Sequence, residues 1–240
     1  MSSPTKNKLT RNIIIGMFLG FLIGGLLNFW RTNWFVDQYI VGGLFFVGGS
    51  IFLASLKMLV VPLVFVSLVC GTTALDDIRR LGRIGLKTLM FYLGTTAIAI
   101  SIALIAAVVF QPGIGFALST TEGFTPKEAP ALSQVIIGLF PTNPFKAMAE
   151  GNMLQVIVFS ILFGIALIMS GKAGERVSAV FNDLNEIIMK LVFILMEVAP
   201  YGVFCLIAKT FATEGFAAIK PLALYFFLVF GVLLFHALIT

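Results

Sequence analysis

An all-α polytopic membrane protein is predicted for this chain, and three observations predict it. Hydrophobic residues make up 59% of the 240 and charged residues only 11%, against roughly a quarter charged in an ordinary soluble domain. Mean hydropathy is +1.06. The apolar residues gather into stretches that can cross a hydrocarbon core of about 30 Å, which takes about 20 residues at 1.5 Å each. A chain this poor in charge cannot cover itself with polar surface, so lipid must be most of its solvent.

Six such stretches span residues 13–30, 39–75, 86–110, 130–170, 187–211 and 221–240. The first follows the basic MSSPTKNKLTRN. It exceeds the roughly 7–15 residues of a signal-peptide core and lacks a small-x-small cleavage site, so it reads as a spanning helix. Its Gly16, Gly20, Gly24 and Gly25 carry small-xxx-small spacing, a surface for close helix packing. The second stretch is too long for one straight crossing, so a tilt, an interruption or a partial re-entry must absorb the excess. Within it, SLKMLVVPLVFVSL sets Lys57 and Pro62 among apolar neighbours. A lysine at the bilayer centre costs about 2.5–3.5 kcal/mol on insertion scales. Lys57 is therefore expected to snorkel or to hold a partner inside the protein, with Pro62 supplying a bend.

The fourth stretch holds PTNP at 141–144. Proline lacks an amide donor and disfavours helix in the residue before it, so pieces near 131–140, 144–149 and 152–170 are expected. FPTNPF admits two readings: a substrate loop with Asn143 as ligand, or a break whose polar groups satisfy freed backbone, the second being favoured. The fifth stretch carries Glu197 three residues before Pro200, where a kink is expected. An intramembrane carboxylate marks an ion path by default; a structural partner such as Lys57 or Lys190 is the open alternative. The last stretch reaches Thr240 without a basic flank or polar tail, which suggests a fragment or an interrupted gene.

Basic residues orient the spans. With the N-terminus in the cytoplasm, the inner side receives Lys6, Lys8, Arg11, Arg79, Arg80, Arg83, Lys87, Lys172, Arg176 and Lys190. The outer side receives Arg31, Lys127, Lys146, Lys209 and Lys220. Ten against five follows the positive-inside rule and predicts a cytoplasmic N-terminus; the expected location is the cell (inner) membrane, as an integral multi-pass protein. Residues 111–130 become an external loop, and Asp76, Asp77, Arg79 and Arg80 a solvated inner one. The net charge of +5 is accounted for by this topology and by anionic headgroups, without a nucleic-acid partner. Cys70 and Cys205 sit in apolar helical sequence as small hydrophobes. A single histidine, His236, excludes a multi-histidine metal site. No catalytic constellation suggests an enzyme.

Tyr92, Thr95 and Thr96 bring oxygen atoms to one helix face at i, i+3 and i+4. Hydroxyls and carbonyls suit a hard cation such as sodium. The alternative is that such hydroxyls bond their own helix or a neighbouring one.

Four blocks in order carry a family resemblance: SLKMLVVPLVFVSLVCGTTALDD, LGRIGLKTLMFYLGTTAIAISIAL, FPTNPFKAMAEGNMLQVIVFSILFGIAL and APYGVFCLIAKTF. From about residue 11 to 240 the chain resembles the dicarboxylate/amino acid:cation symporters, the glutamate transporters. The resemblance implies sodium- or proton-coupled uptake of an acidic amino acid or dicarboxylate, no organic cofactor and a homotrimer in lipid. It implies scaffold helices at about 11–75 and 130–213, and transport-domain helices at about 86–110 and 221–240 that move as an elevator. Only the first six spans of such a transporter have counterparts. The re-entrant hairpins, the NMDGT helix and the last helix, which hold substrate and most sodium ligands in that family, have none. In the family a sodium site falls at Tyr92, Thr95 and Thr96, completed by an Asn and an Asp from the seventh helix. With no carboxylate to complete it, this chain is expected to show no measurable sodium affinity. The alternative to a transporter inactive alone is a trimeric scaffold that needs a separately encoded transport core.

Overall fold

A computed structural model describes residues 4–30, 33–74, 78–111, 131–216 and 219–239. The described residues are helical, without strands, as the composition requires: in lipid a backbone must satisfy its own hydrogen bonds, and a helix does so within one segment. The elements are α1 (Pro4–Phe29), a π-helical stretch (Val36–Phe45) running into α2 (Phe46–Thr73), α3 (Ile78–Phe110), α4 (Leu132–Gly138), α5 (Pro144–Glu150), α6 (Met153–Met169), α7 (Lys172–Glu214) and α8 (Ile219–Ile239). Among the described residues, four stretches are long and apolar enough to cross a membrane: Lys8–Phe29, Val36–Thr73, Met90–Phe110 and Lys172–Glu214. Met153–Met169 is a shorter apolar helix, and Ala223–Leu238 is the apolar part of α8 whose side chains are described. The external loop expected over 111–130 lies, beyond Gln111, outside the described residues, as do Asp76, Asp77 and the side chains of Arg79 and Arg80.

The chain divides into two compact units. One comprises Met1–Ile78 with Pro130–Gly215, the other Arg79–Ala129 with Phe216–Thr240.

In the first unit α7 is the central post. Its pairing with α1 is parallel and in constant register. A Cβ added at Gly16 would lie 2.6 Å from the Pro200 carbonyl oxygen, and one at Gly20 would lie 2.8 Å from that of Phe204. One at Gly24 would run into the backbone of Ala208. One turn further on, Asn28 Nδ2 donates to the carbonyl of Ala212 at 2.8 Å, and these two residues are 184 positions apart, as are the three pairs before them. The glycine stripe is thus a seam where two backbones touch, the geometry that small-xxx-small spacing permits. Gly25 is buried beside it.

The pairing of α2 with α7 is antiparallel. Near the start of α2, Gly49 faces Leu206 and the Phe52 ring fills the space over Gly202. Near its end, Ser67 Oγ donates to Asn185 Oδ1 at 3.1 Å, and Ser178 Oγ to Thr73 Oγ1 at 3.0 Å. Lys209 Nζ stands 4.2 Å from the centroid of the Phe46 ring, a cation–π contact. Phe65 of α2 meets Phe159 and Phe163 of α6 and Phe181 of α7 in an aromatic cluster. Beneath it Val69, Val156 and Ser160 are fully buried, the Ser160 hydroxyl donating to the carbonyl of Val156 at 2.6 Å.

Two expectations are refined. The second stretch is not interrupted between Val36 and Thr73: helix runs through all 38 residues, Pro62 included. Its first 10 residues, Val36–Phe45, are π-helical, and a Cβ added at Gly42 or Gly43 would lie 3.1 Å or 3.3 Å from the carbonyl oxygen of Asp37 or Gln38. The fifth stretch is longer than the 187–211 that hydropathy marks. α7 begins at Lys172 and passes through Pro200 to Glu214, because the charges between 172 and 190 end an apolar run without breaking a helix.

The fourth stretch breaks near the places expected. Asn143 caps α5, its Oδ1 accepting from the amides of Phe145 at 3.0 Å and Lys146 at 3.1 Å, with Pro144 at the first helical position. Gly151, at φ 69°, closes α5 in the left-handed conformation that favours glycine. Asn152 then caps α6 through the amide of Gln155, whose side chain reaches back to the Gly138 carbonyl at 3.0 Å. Backbone groups freed by the break thus find partners inside the protein, as lipid demands.

In the second unit, α3 and α8 border an apolar cavity of about 690 Å³. Ile102, Ile105 and Val109 line it from α3, and Leu224, Phe227 and Gly231 from α8. Both sets recur at three- and four-residue spacing, one face of a helix each.

Candidate functional site

Tyr92, Thr95 and Thr96 lie together on α3 within the second unit. Tyr92 is 64% exposed and both threonines are half-buried. Thr95 Oγ1 donates to the Tyr92 carbonyl at 3.1 Å, the local bond that serine and threonine make in membrane helices. That bond uses the hydroxyl proton and leaves the oxygen lone pairs available, so Thr95 retains the capacity to face a cation. Thr96 Oγ1 has no hydrogen bond among the described residues. The helix gathers three oxygens and no carboxylate: Asp and Glu are absent from α3. Such a set solvates an ion on one side and leaves its charge uncompensated.

Asn143 is placed differently. Its oxygen is engaged by two backbone amides at the start of α5, which leaves only its amide nitrogen for any ligand. Lys57 is exposed on α2 and shares a cavity of about 780 Å³ with Pro62, Met148 and Glu150. Glu150 in turn sits 3.7 Å from Lys146, one turn back on α5. The carboxylate that shares a cavity with Lys57 is thus Glu150, from the short helix after PTNP, and not Glu197.

Glu197 faces the seam between α1 and α7. It lines a groove of about 760 Å³ together with Lys190 and Tyr201 on its own helix and Lys8 and Asn12 on α1. Of the two partners the sequence leaves open, Lys190 shares its groove and Lys57 does not. Glu197 and Lys190 are seven residues apart, two turns along one face. No ion pair joins Glu197 to any described residue. Sequence reasoning missed Lys8 and Asn12 as neighbours of Glu197. The i, i+4, i+8 run of Lys8, Asn12 and Gly16 does place all three on one face of α1, but nothing local says which helix that face meets.

The model of the sodium:dicarboxylate symporter family matches residues 9–240, and the chain belongs to that family, whose members are transporters and not enzymes. It is 36% identical over 248 aligned positions to the proton/glutamate-aspartate symporter of Escherichia coli (strain K12), covering 98% of this chain and 56% of that protein. It is 32% identical over 232 positions to the proton/sodium-glutamate symport protein of Bacillus caldotenax, covering 93% and 53%. The C4-dicarboxylate transport protein of Rhizobium leguminosarum is 36% identical over 184 positions, covering 73% and 41%. The chain thus spans about half the length of the curated relatives it matches. With its apolar helices it is an integral membrane protein.

Proposed function

We propose that this chain is the N-terminal part of a secondary active symporter that couples entry of sodium or protons to uptake of an acidic amino acid or dicarboxylate. The observation that carries this reading is the family match across residues 9–240. The relatives' names supply glutamate, aspartate and C4-dicarboxylates as substrates, and protons or sodium as coupling ions.

Elevator motion within a homotrimer of the cell (inner) membrane, N-terminus cytoplasmic, completes the proposal. The division of the chain supports the elevator. The unit of Met1–Ile78 with Pro130–Gly215 is the proposed scaffold, and the unit of Arg79–Ala129 with Phe216–Thr240 the proposed mobile part. The parallel pairing of α1 with α7 and the antiparallel pairing of α2 with α7 are compatible with alternating spans. Tyr92, Thr95 and Thr96 are the proposed share of a cation site, to be completed by residues outside these 240. Uptake of labelled glutamate, aspartate or succinate into proteoliposomes, under a sodium or a proton gradient, tests the reading. The 240 residues alone are expected to give none, and uptake by them would overturn that expectation.

The half-length coverage of the relatives favours one further reading: a trimeric scaffold that works with a separately supplied transport core. Restoration of uptake on co-expression with the missing half of a relative supports it, and cross-linked trimers without restored uptake count against it.

A further inference from the structure

We infer that the groove between α1 and α7 is a binding site for one anionic phospholipid, its phosphodiester held by Lys8 and Lys190 and its acyl chains laid along the groove. The register of the seam sets the depths. With α1 and α7 parallel at an offset of 184, Lys8 falls level with Val192, within about half a turn of Lys190. The two ammonium groups thus enter one groove at one level from two helices. Glu197 lies about 10 Å further along α7, and Asn12 enters at nearly the same depth from α1. Beyond them the walls are apolar, formed by Ile15, Leu19 and Phe204. Cationic mouth, polar collar and apolar floor follow the order of a phospholipid's phosphate, glycerol esters and chains. Asn12 and Tyr201 bring donors that suit ester carbonyls.

Charge selects the class of lipid. Two lysines against one carboxylate leave the groove with a single net positive charge, which a phosphodiester of charge −1 balances. Phosphatidylcholine brings no net charge. A phosphomonoester such as phosphatidic acid brings a second negative charge toward Glu197.

Native mass spectrometry of the purified chain, titrated with dioleoyl-phosphatidylglycerol, -phosphatidylcholine or -phosphatidic acid, tests this. Phosphatidylglycerol is expected to bind at one per chain ahead of the other two. Each lysine near a membrane surface contributes about fivefold in affinity, so the Lys8→Gln/Lys190→Gln pair should bind roughly thirtyfold more weakly. Lys209→Gln, outside the groove, should bind as the parent does. Glu197→Gln should gain affinity for phosphatidic acid. Equal binding of phosphatidylglycerol and phosphatidylcholine, or a double variant that binds like the parent, overturns the proposal. So does disulfide formation between two copies of an Asn12→Cys variant in vesicles, which would make the groove a chain-to-chain interface. Both lysines are solvent-exposed, so their loss is expected to leave folding intact. Unchanged thermal unfolding of the double variant without lipid separates lost binding from lost fold.

Discussion

Asn28 of α1 and Ala212 of α7 are joined by a hydrogen bond of 2.8 Å from the carboxamide of the first to the carbonyl of the second. The bond serves one of the last carbonyls of α7, which have no partner inside their own helix. Beside it Gly215 turns at φ 66°, and any side chain there would meet Asn28 Oδ1 at 2.7 Å. Removing the carboxamide loses a bond worth about 1 kcal/mol. Asn28→Ala should therefore lower the denaturation midpoint of the chain in detergent, and Asn28→Gln should not restore it, because the longer amide meets the Gly215 backbone.

The glycine seam makes a steeper prediction. Gly24→Leu must separate α1 from the Ala208 backbone, and overpacking of this kind costs about 3 kcal/mol. Gly94 on α3 has open space around its missing side chain, so Gly94→Ala should be neutral or stabilising by up to about 1 kcal/mol. Denaturation midpoints of the two variants in one detergent check the contrast. Equal effects would show that the seam is not a close approach.

Asn143→Ala should destabilise by about 1 kcal/mol through loss of the cap on α5, and Asn143→Asp should retain most of it because a carboxylate oxygen also accepts from the two amides. A substrate ligand would behave otherwise. In a longer relative carrying the same FPTNPF, loss of a ligand would raise KM with little change in stability. Thermal unfolding measured beside uptake separates the two roles.

Sodium is expected to leave the unfolding temperature of these 240 residues unchanged, since α3 offers hydroxyl and carbonyl oxygens and no acidic residue. A rise in melting temperature with sodium that choline does not reproduce would overturn this expectation, and Thr96→Val should then abolish the rise.

What the sequence made legible follows the reach of the interaction. The breaks around PTNP could be read because proline, an asparagine cap and a left-handed glycine act within four residues. The shared face of Tyr92, Thr95 and Thr96 could be read for the same reason, since helical spacing alone determines it. The bond from Thr95 to the Tyr92 carbonyl was one of two open choices, because the competing partners differ by little energy. The glycines of α1 were legible as a packing surface, and their partners were not, since no periodicity in α1 names a helix 184 residues away. The same distance hid the company of Glu197. That α7 extends beyond its apolar stretch has a different reason: hydropathy reports which residues lipid accepts, while helix continues wherever no breaker stops it.

The seam has a bearing on biosynthesis. α1 leaves the ribosome early, and the surface that its glycines fit is made 184 residues later. At about 5–20 residues per second, that delay is on the order of ten to forty seconds. For that interval the glycine stripe must rest against lipid or against the insertion machinery, with a flat, weakly adhesive face. A bulky residue in place of Gly20 or Gly24 would then do its harm in two stages: unnoticed while α1 inserts, and decisive when α7 arrives to close against it.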